Sequence, residues 1–336
     1  MTRRVRALLS KAKGGADTLV LEDVDEPQPG AGQVRLRVHA CGLGLADTLI
    51  IDDQYQMKPP RPFAPGGEVA GVVDAVGDGV TGLNVGDRVM ALCLWGGLAE
   101  QLVVDADSCV PIPGDMPMDE AAALLVTYGT AHYALRERGQ LKAGDTLLVT
   151  GAAGGVGLAA IELGKAWGAR VIAATSSQEK LDVALAQGAS AGVVYPAAGL
   201  DKDSARAFAQ SVKQAVGGDG ANVVLDVAGG DYAEACVRAM AWEGRFLVVG
   251  FAAGVPRLPL SLVLLKGCQV MGVSWGEFIR REPAKFDASV RELLDMYARG
   301  LIRPRISRRF PLERGSEALE LIASRQAHGK LVVTMV

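Results

Sequence analysis

The stretch 146–157, Thr146-Leu-Leu-Val-Thr150-Gly151-Ala-Ala-Gly154-Gly155-Val-Gly157, decides the fold. An apolar strand, Thr146–Thr150, runs into a glycine-rich turn. The segment beyond it, Gly155–Trp167, reads as a helix stopped by Gly168. Such a turn lets backbone N–H groups and the positive end of the helix face a pyrophosphate. Against the G-x-G-x-x-G pattern of dinucleotide sites, Gly154 and Gly157 take the second and third glycine positions and Ala152 takes the first. The match is imperfect, and the strand–turn–helix context carries the reading.

Outward from this turn, strands and helices alternate. Arg170–Thr175 reads as a strand, Gln178–Gln187 as a helix stopped by Gly188, and Gly192–Tyr195, Val223–Val227 and Arg245–Val249 as further strands. Helices at Ser204–Val216 and Tyr232–Met240 lie between them. This alternation predicts an α/β fold, a doubly wound parallel sheet with right-handed crossovers. Toward the N-terminus the rhythm differs. Val34-Arg-Leu-Arg-Val38 alternates apolar and polar residues, and Pro59 to Gly67 is dense in Gly and Pro, which predicts a small antiparallel β domain. Beyond Lys266 we expect a strand at Cys268–Val273, helices near Phe286–Ala298 and Arg314–Ser324, and a closing strand Leu331–Val336.

The end of the second strand selects the dinucleotide. NAD sites place Asp or Glu roughly 20 residues past the turn to bind the ribose 2′-hydroxyl. Here the segment is Ala173-Ala-Thr-Ser176-Ser177, followed by Lys180, with no carboxylate. Hydroxyls and a lysine suit a 2′-phosphate, so NADPH is the expected cofactor. Ser176 or Ser177 also suits the cap of the following helix.

Composition excludes several classes. The 336 residues are 49% hydrophobic and 22% charged, in the range of globular proteins, and the length suggests two domains. Net charge is −3 without a long Lys/Arg run, so we expect no nucleic-acid partner. The apolar run Leu258–Leu265 falls short of the roughly 20 residues that span a bilayer, and the start lacks a signal-peptide core. A cytoplasmic protein without membrane contact is expected. Cys41, Cys93, Cys109, Cys236 and Cys268 form no CxxC pair, so they read as free thiols.

Five stretches together resemble the zinc-free quinone oxidoreductase branch of the medium-chain dehydrogenase/reductase superfamily. They are Pro65–Gly71, Val85–Val89, Thr127–Ala131, Gly151–Gly157 and Val248–Ala252. The resemblance implies a GroES-like β domain over 1–126, a Rossmann NADP-binding domain over 127–266, and a return of the chain to the first domain over 267–336, with the active site in the cleft. It implies that Thr130 lies near the nicotinamide and that Gly154, Gly155 and Val156 hold the pyrophosphate. Lys180 and Tyr195 would surround the 2′-phosphate with Ser176 in the same pocket, and Gly250 and Phe251 would flank the nicotinamide. Tyr55 would line the acceptor pocket and is a candidate proton or hydrogen-bond donor. The zinc ligands of zinc-dependent relatives fall at Gly44, Gly67 and about Val126, so no metal is expected; nearby Asp47 and Glu68 read as remnants of that scaffold, satisfied by arginine or backbone donors. Without a Lewis acid, the expected acceptor is a quinone or another conjugated carbonyl. An enoyl or enone reductase, acyl-CoA thioesters included, and a non-catalytic NADPH-binding protein are the alternatives. A homodimer through a sheet edge near Leu262–Met271 is implied as well.

Overall fold

The computed structural model describes residues 3–197 and 199–335. They form two compact units, one of residues 127–303 and one of residues 3–126 with 304–335.

The 127–303 unit contains a six-stranded sheet, parallel throughout. Its strands in spatial order are Ala191–Val194, Arg170–Thr175, Thr146–Thr150, Ala221–Asp226, Met240–Val248 and Gln269–Gly272. Numbered along the chain this is 3-2-1-4-5-6, the order of dinucleotide-binding sheets. Leu147, Leu148, Val149, Val223, Val224 and Leu225 are all fully buried, as near-continuous apolar strands covered on both faces should be. The order reverses between Thr146–Thr150 and Ala221–Asp226, and the crevice beyond their C-terminal ends is where such sheets bind ligands.

The chain returns to the first unit later than its sequence suggests. The segment from 267 was expected to leave the nucleotide domain, yet Gln269–Gly272 pairs with Met240–Val248 as the sixth strand. That pairing satisfies backbone groups the fifth strand would otherwise leave open on one side. Helices Trp275–Arg281 and Pro283–Ala298 follow, with Phe278, Leu293 and Met296 buried, and the return begins at 304. The apolar run before this strand, Leu260–Lys266, is a helix.

In the other unit, Gln33–Leu43 is the spine of a mainly antiparallel sheet, paired with Glu68–Val76, Gln101–Asp105 and Lys330–Thr334. The C-terminal strands join here: Ile306–Pro311 runs parallel to Lys330–Thr334 at the sheet edge. Leu36, Val69, Val73, Leu98, Phe310 and Val333 fill the core. A short helix, Leu45–Ile51, not foreseen from its apolar run, leaves the spine at Gly44. Among the described residues no helix is long and apolar enough to cross a membrane.

Candidate functional site

Beyond Thr150 the chain must reverse within a few residues, and Gly151 does so at φ +60°, a conformation that favours glycine. Gly157 serves packing. A Cβ there would stand 2.5 Å from the Gly151 carbonyl oxygen and 2.7 Å from the Ala152 Cα, so helix Gly155–Ala166 lies this close to the strand only with glycine. Gly154 caps the helix, and a Cβ on it would meet only the Gly151 oxygen, at 3.3 Å. The space in front of Gly154 therefore stays open. Its own N–H donates to the Gly151 carbonyl at 3.0 Å, which leaves Gly155 and Val156, in the first turn where N–H groups lack an intrahelical acceptor, as the donors a pyrophosphate would meet.

At the end of the neighbouring strand, the Lys180 ammonium donates to the Ser176 hydroxyl at 3.1 Å, and both side chains are half-buried. Ser177 caps the helix, accepting from the Lys180 backbone N–H at 3.2 Å. Each serine thus has its own task. The strand end presents an ammonium and a hydroxyl and no carboxylate, a fit for a 2′-phosphate. Tyr195 lies deeper than the resemblance implied. It is 7% exposed, its ring 4.3 Å from that of Tyr232 and 5.7 Å from that of Phe208. Burial pushes its phenol up, and its hydroxyl faces the Gly151 backbone, so it supports the turn from beneath.

Two residues that sequence reasoning passed over join the strand ends at the switch point. The Thr150 hydroxyl donates to Asp226 and accepts from the backbone N–H groups of Val227 and Ala228, both at 3.1 Å. Asp226 also accepts from Gly229 N–H at 3.1 Å, and burial raises its carboxyl above the ordinary range. Their only sequence signal is position, one at the last residue of each strand. Gly250 and Phe251 leave the fifth strand nearby, with the Gly250 N–H on the Asp226 carbonyl at 3.2 Å and Phe251 half exposed. Thr130 lies half-buried on helix Leu125–His132, one residue beyond a glycine covered by the Trp275 ring.

In the other unit, Tyr55 is half-buried after helix Leu45–Ile51 and packs against that unit's core. The positions of the relatives' metal ligands, Gly44, Gly67 and Val126, carry no donor side chain, and the carboxylates beside them are engaged elsewhere. Asp47 accepts from Gly44 N–H at 2.8 Å and Gly66 N–H at 3.1 Å; Glu68 accepts from Val126 N–H at 2.9 Å. Lys330, 5% exposed, stands 2.8 Å from Glu68, 1% exposed. Of the two expected kinds of partner, arginine or backbone donors, the backbone donors are present, and the cation beside Glu68 is a lysine from the closing strand. Burial pushes both carboxyls up, against the pull of Lys330 and the backbone donors. These residues do not fit a catalytic zinc, which takes three N, S or O side-chain ligands. Among the described residues no group of three His, Cys, Asp or Glu is placed to hold a metal.

Residues 30–114 match the alcohol dehydrogenase GroES-like domain family, and residues 155–296 match the zinc-binding dehydrogenase family. The chain is 39% identical over 320 residues to quinone oxidoreductase-like protein 2 homolog of Nematostella vectensis, covering 94% of this chain and 85% of that protein. A probable oxidoreductase from Mycobacterium abscessus superposes with a TM-score of 0.88 at 36% identity, covering 99% of this chain and 100% of that one. A mycobacterial protein complexed with NADPH gives 0.89 at 31% identity, covering 98% and 99%. A GroES-like unit, a parallel sheet in dinucleotide-binding order and these likenesses agree: the chain belongs to the quinone oxidoreductase branch of the medium-chain dehydrogenase/reductase superfamily.

Proposed function

We propose that this oxidoreductase uses NADPH to reduce a quinone or related conjugated carbonyl compound and needs no metal to do so. The observation that carries the reading is the Ser176–Lys180 pair at a strand end without a carboxylate, beside an open glycine turn. The NADPH complex of a structural neighbour supports the cofactor, and the names of the relatives support the acceptor class. When bound, NADPH supplies a hydride to an electron-poor carbon of the acceptor, and the displaced electron pair settles on the conjugated carbonyl oxygen, which takes a proton from solvent.

The residues of the chain bind and orient. Lys180 and Ser176 hold the 2′-phosphate, and the turn at Gly154, Gly155 and Val156 holds the pyrophosphate, Gly154 by its open approach and Gly155 and Val156 by their backbone N–H groups. Thr130, Gly250 and Phe251 position the nicotinamide, and Tyr55 lines the acceptor pocket. Tyr195 contributes by steadying Gly151. A steady-state panel with NADPH and benzoquinone, 1,4-naphthoquinone, an acyclic enone and acryloyl-CoA tests the acceptor. Preference for the quinones supports the reading. A hundredfold preference for the thioester replaces it with an enoyl reductase, and tight NADPH binding without turnover replaces it with a binding protein.

We further propose a homodimer through the edge of the six-stranded sheet. Among the described residues strand Gln269–Gly272 has a free edge, and Trp242 on the neighbouring strand and Leu260, Leu264 and Leu265 on the helix just before it are more than two-thirds exposed. An uncovered apolar edge invites association. Light scattering after gel filtration should give twice the chain mass; a monomer at micromolar concentration refutes it.

A further inference from the structure

We propose that Thr150 is a positioning residue for hydride transfer: its hydroxyl, anchored on Asp226, sets the height of the backbone that flanks the nicotinamide. The proposal rests on the reading of Gly250 and Phe251 as the nicotinamide end of the nucleotide site.

Three consecutive backbone donors turn inward onto two side chains. The N–H groups of Val227 and Ala228 both donate to Thr150 Oγ1 at 3.1 Å, and that of Gly229 donates to Asp226 Oδ1 at 3.1 Å. A hydroxyl offers two lone pairs and one proton. Both lone pairs are taken here, so the proton goes to the Asp226 carboxylate, and the Thr150 side chain has no freedom left to turn. Thr150 and Asp226 are fully buried, which closes the arrangement to bulk solvent. The rest of the strand interior, Leu147, Leu148 and Val149, is apolar. At its end the hydroxyl, and not the bulk, is what sets threonine apart from valine.

The carbonyls of the same segment carry the nicotinamide side. The Asp226 oxygen accepts from Val249 N–H at 2.9 Å and Gly250 N–H at 3.2 Å, and the Ala228 oxygen accepts from Ala253 N–H at 2.6 Å. No side chain cushions this contact. Gly229 lies at φ +67°, and a Cβ on it would stand 2.5 Å from the Gly254 carbonyl oxygen and 3.2 Å from the Phe251 Cα. A Cβ on Gly250 would stand 3.1 Å from the Val227 carbonyl oxygen. A shift of Val227–Gly229 therefore passes into Gly250 and Phe251 with little to absorb it. Hydride transfer needs donor and acceptor carbons about 3–3.5 Å apart, and a misplacement of about 1 Å costs about 100-fold in rate. Thr150 itself touches neither cofactor nor acceptor.

Thr150→Val keeps the shape and deletes the hydroxyl. The test mixes the NADPH-loaded protein with saturating 1,4-naphthoquinone and follows a single turnover of NADPH absorbance. The rate constant should fall by about 10–100-fold. NADPH affinity should stay within about threefold, since Ser176, Lys180 and the first turn of the following helix are untouched. Loss of folded protein lowers the amplitude of such a trace and leaves its rate constant alone, which separates positioning from stability. Thr150→Ser, which restores the hydroxyl, should return the rate constant to within about threefold of the parent. Should Thr150→Val fail to fold, Thr150→Ala leaves room for a water that serves the two N–H groups without fixing their position, and the same fall is expected. A parent-like rate constant in the folded valine or alanine variant overturns the proposal. So does a serine variant as slow as these, or NADPH affinity lost in proportion to rate, which would assign the hydroxyl to cofactor binding alone. A parent enzyme inert toward every conjugated acceptor instead defeats the functional reading, and this inference with it.

Discussion

Replacing Lys330 by methionine keeps a long apolar stem and deletes the ammonium that stands 2.8 Å from Glu68. Both partners are almost wholly enclosed, at 5% and 1% exposure, so water cannot take over the lost charge. Breaking a buried pair from one side costs about 3–5 kcal/mol, because the remaining charge is stranded. For a domain of this size each kcal/mol lowers the melting temperature by about 2–4 °C, which predicts a drop of about 6–20 °C for the GroES-like unit. Glu68→Gln should also destabilise, since its one amide oxygen can accept the Val126 N–H only by turning the amide NH2 toward the stranded Lys330 ammonium. The double variant should recover much of the loss, as replacing both charges of a buried pair often does. The assay is thermal unfolding of the four proteins by circular dichroism, with NADPH titration as a control on the nucleotide unit. A Lys330→Met melting temperature within about 2 °C of the parent, or strictly additive variants, would refute the reasoning.

Other consequences concern the cofactor turn and the thiols. Lys180→Ala should weaken NADPH binding by about 10–150-fold, the worth of one charge-assisted hydrogen bond, and leave NADH binding nearly unchanged by calorimetry; equal losses for both would remove the 2′-phosphate assignment. Gly157→Ala forces a Cβ to within 2.5 Å of the Gly151 oxygen, so NADPH affinity should collapse or the nucleotide unit should fail to fold. Tight binding by a folded Gly157→Ala protein would contradict the packing described. Burial pushes the thiols of Cys41, Cys93, Cys236 and Cys268 up, and that of Cys109 up to about 12. Thiolate is the reactive form and becomes scarcer as the pKa rises, so iodoacetamide at pH 8 should label all five slowly in the native protein and rapidly in urea, as read by mass spectrometry. Fast native labelling at any of them would contradict this.

What was legible in the sequence was local. The turn at Gly151–Gly157 carries strand, glycine spacing and helix within one short segment, and the absence of a carboxylate near Ser176 needs no tertiary knowledge. The later return of the chain at 304 was not legible, because the pairing of Gln269–Gly272 with Met240–Val248 depends on which sheet edge is free. Leu262–Leu265 is an unbroken apolar run, which fits a helix as well as a strand, and the sixth strand begins only at Gln269. Lys330 looks like a surface lysine opening an apolar strand. Only the register of Lys330–Thr334 along Gln33–Leu43 brings it to Glu68. Tyr195 was placed by analogy at the 2′-phosphate, and aromatic packing with Phe208 and Tyr232 draws it under the turn.

The central claim, metal-independent hydride delivery from NADPH, is tested most directly by one steady-state experiment on chelator-treated protein whose metal content is measured in the same sample. With 1,4-naphthoquinone as acceptor, the account predicts undiminished turnover at negligible zinc, and a kcat/KM for NADPH at least about tenfold above that for NADH. Stoichiometric zinc whose removal abolishes turnover, or NADH as the better donor, would contradict it.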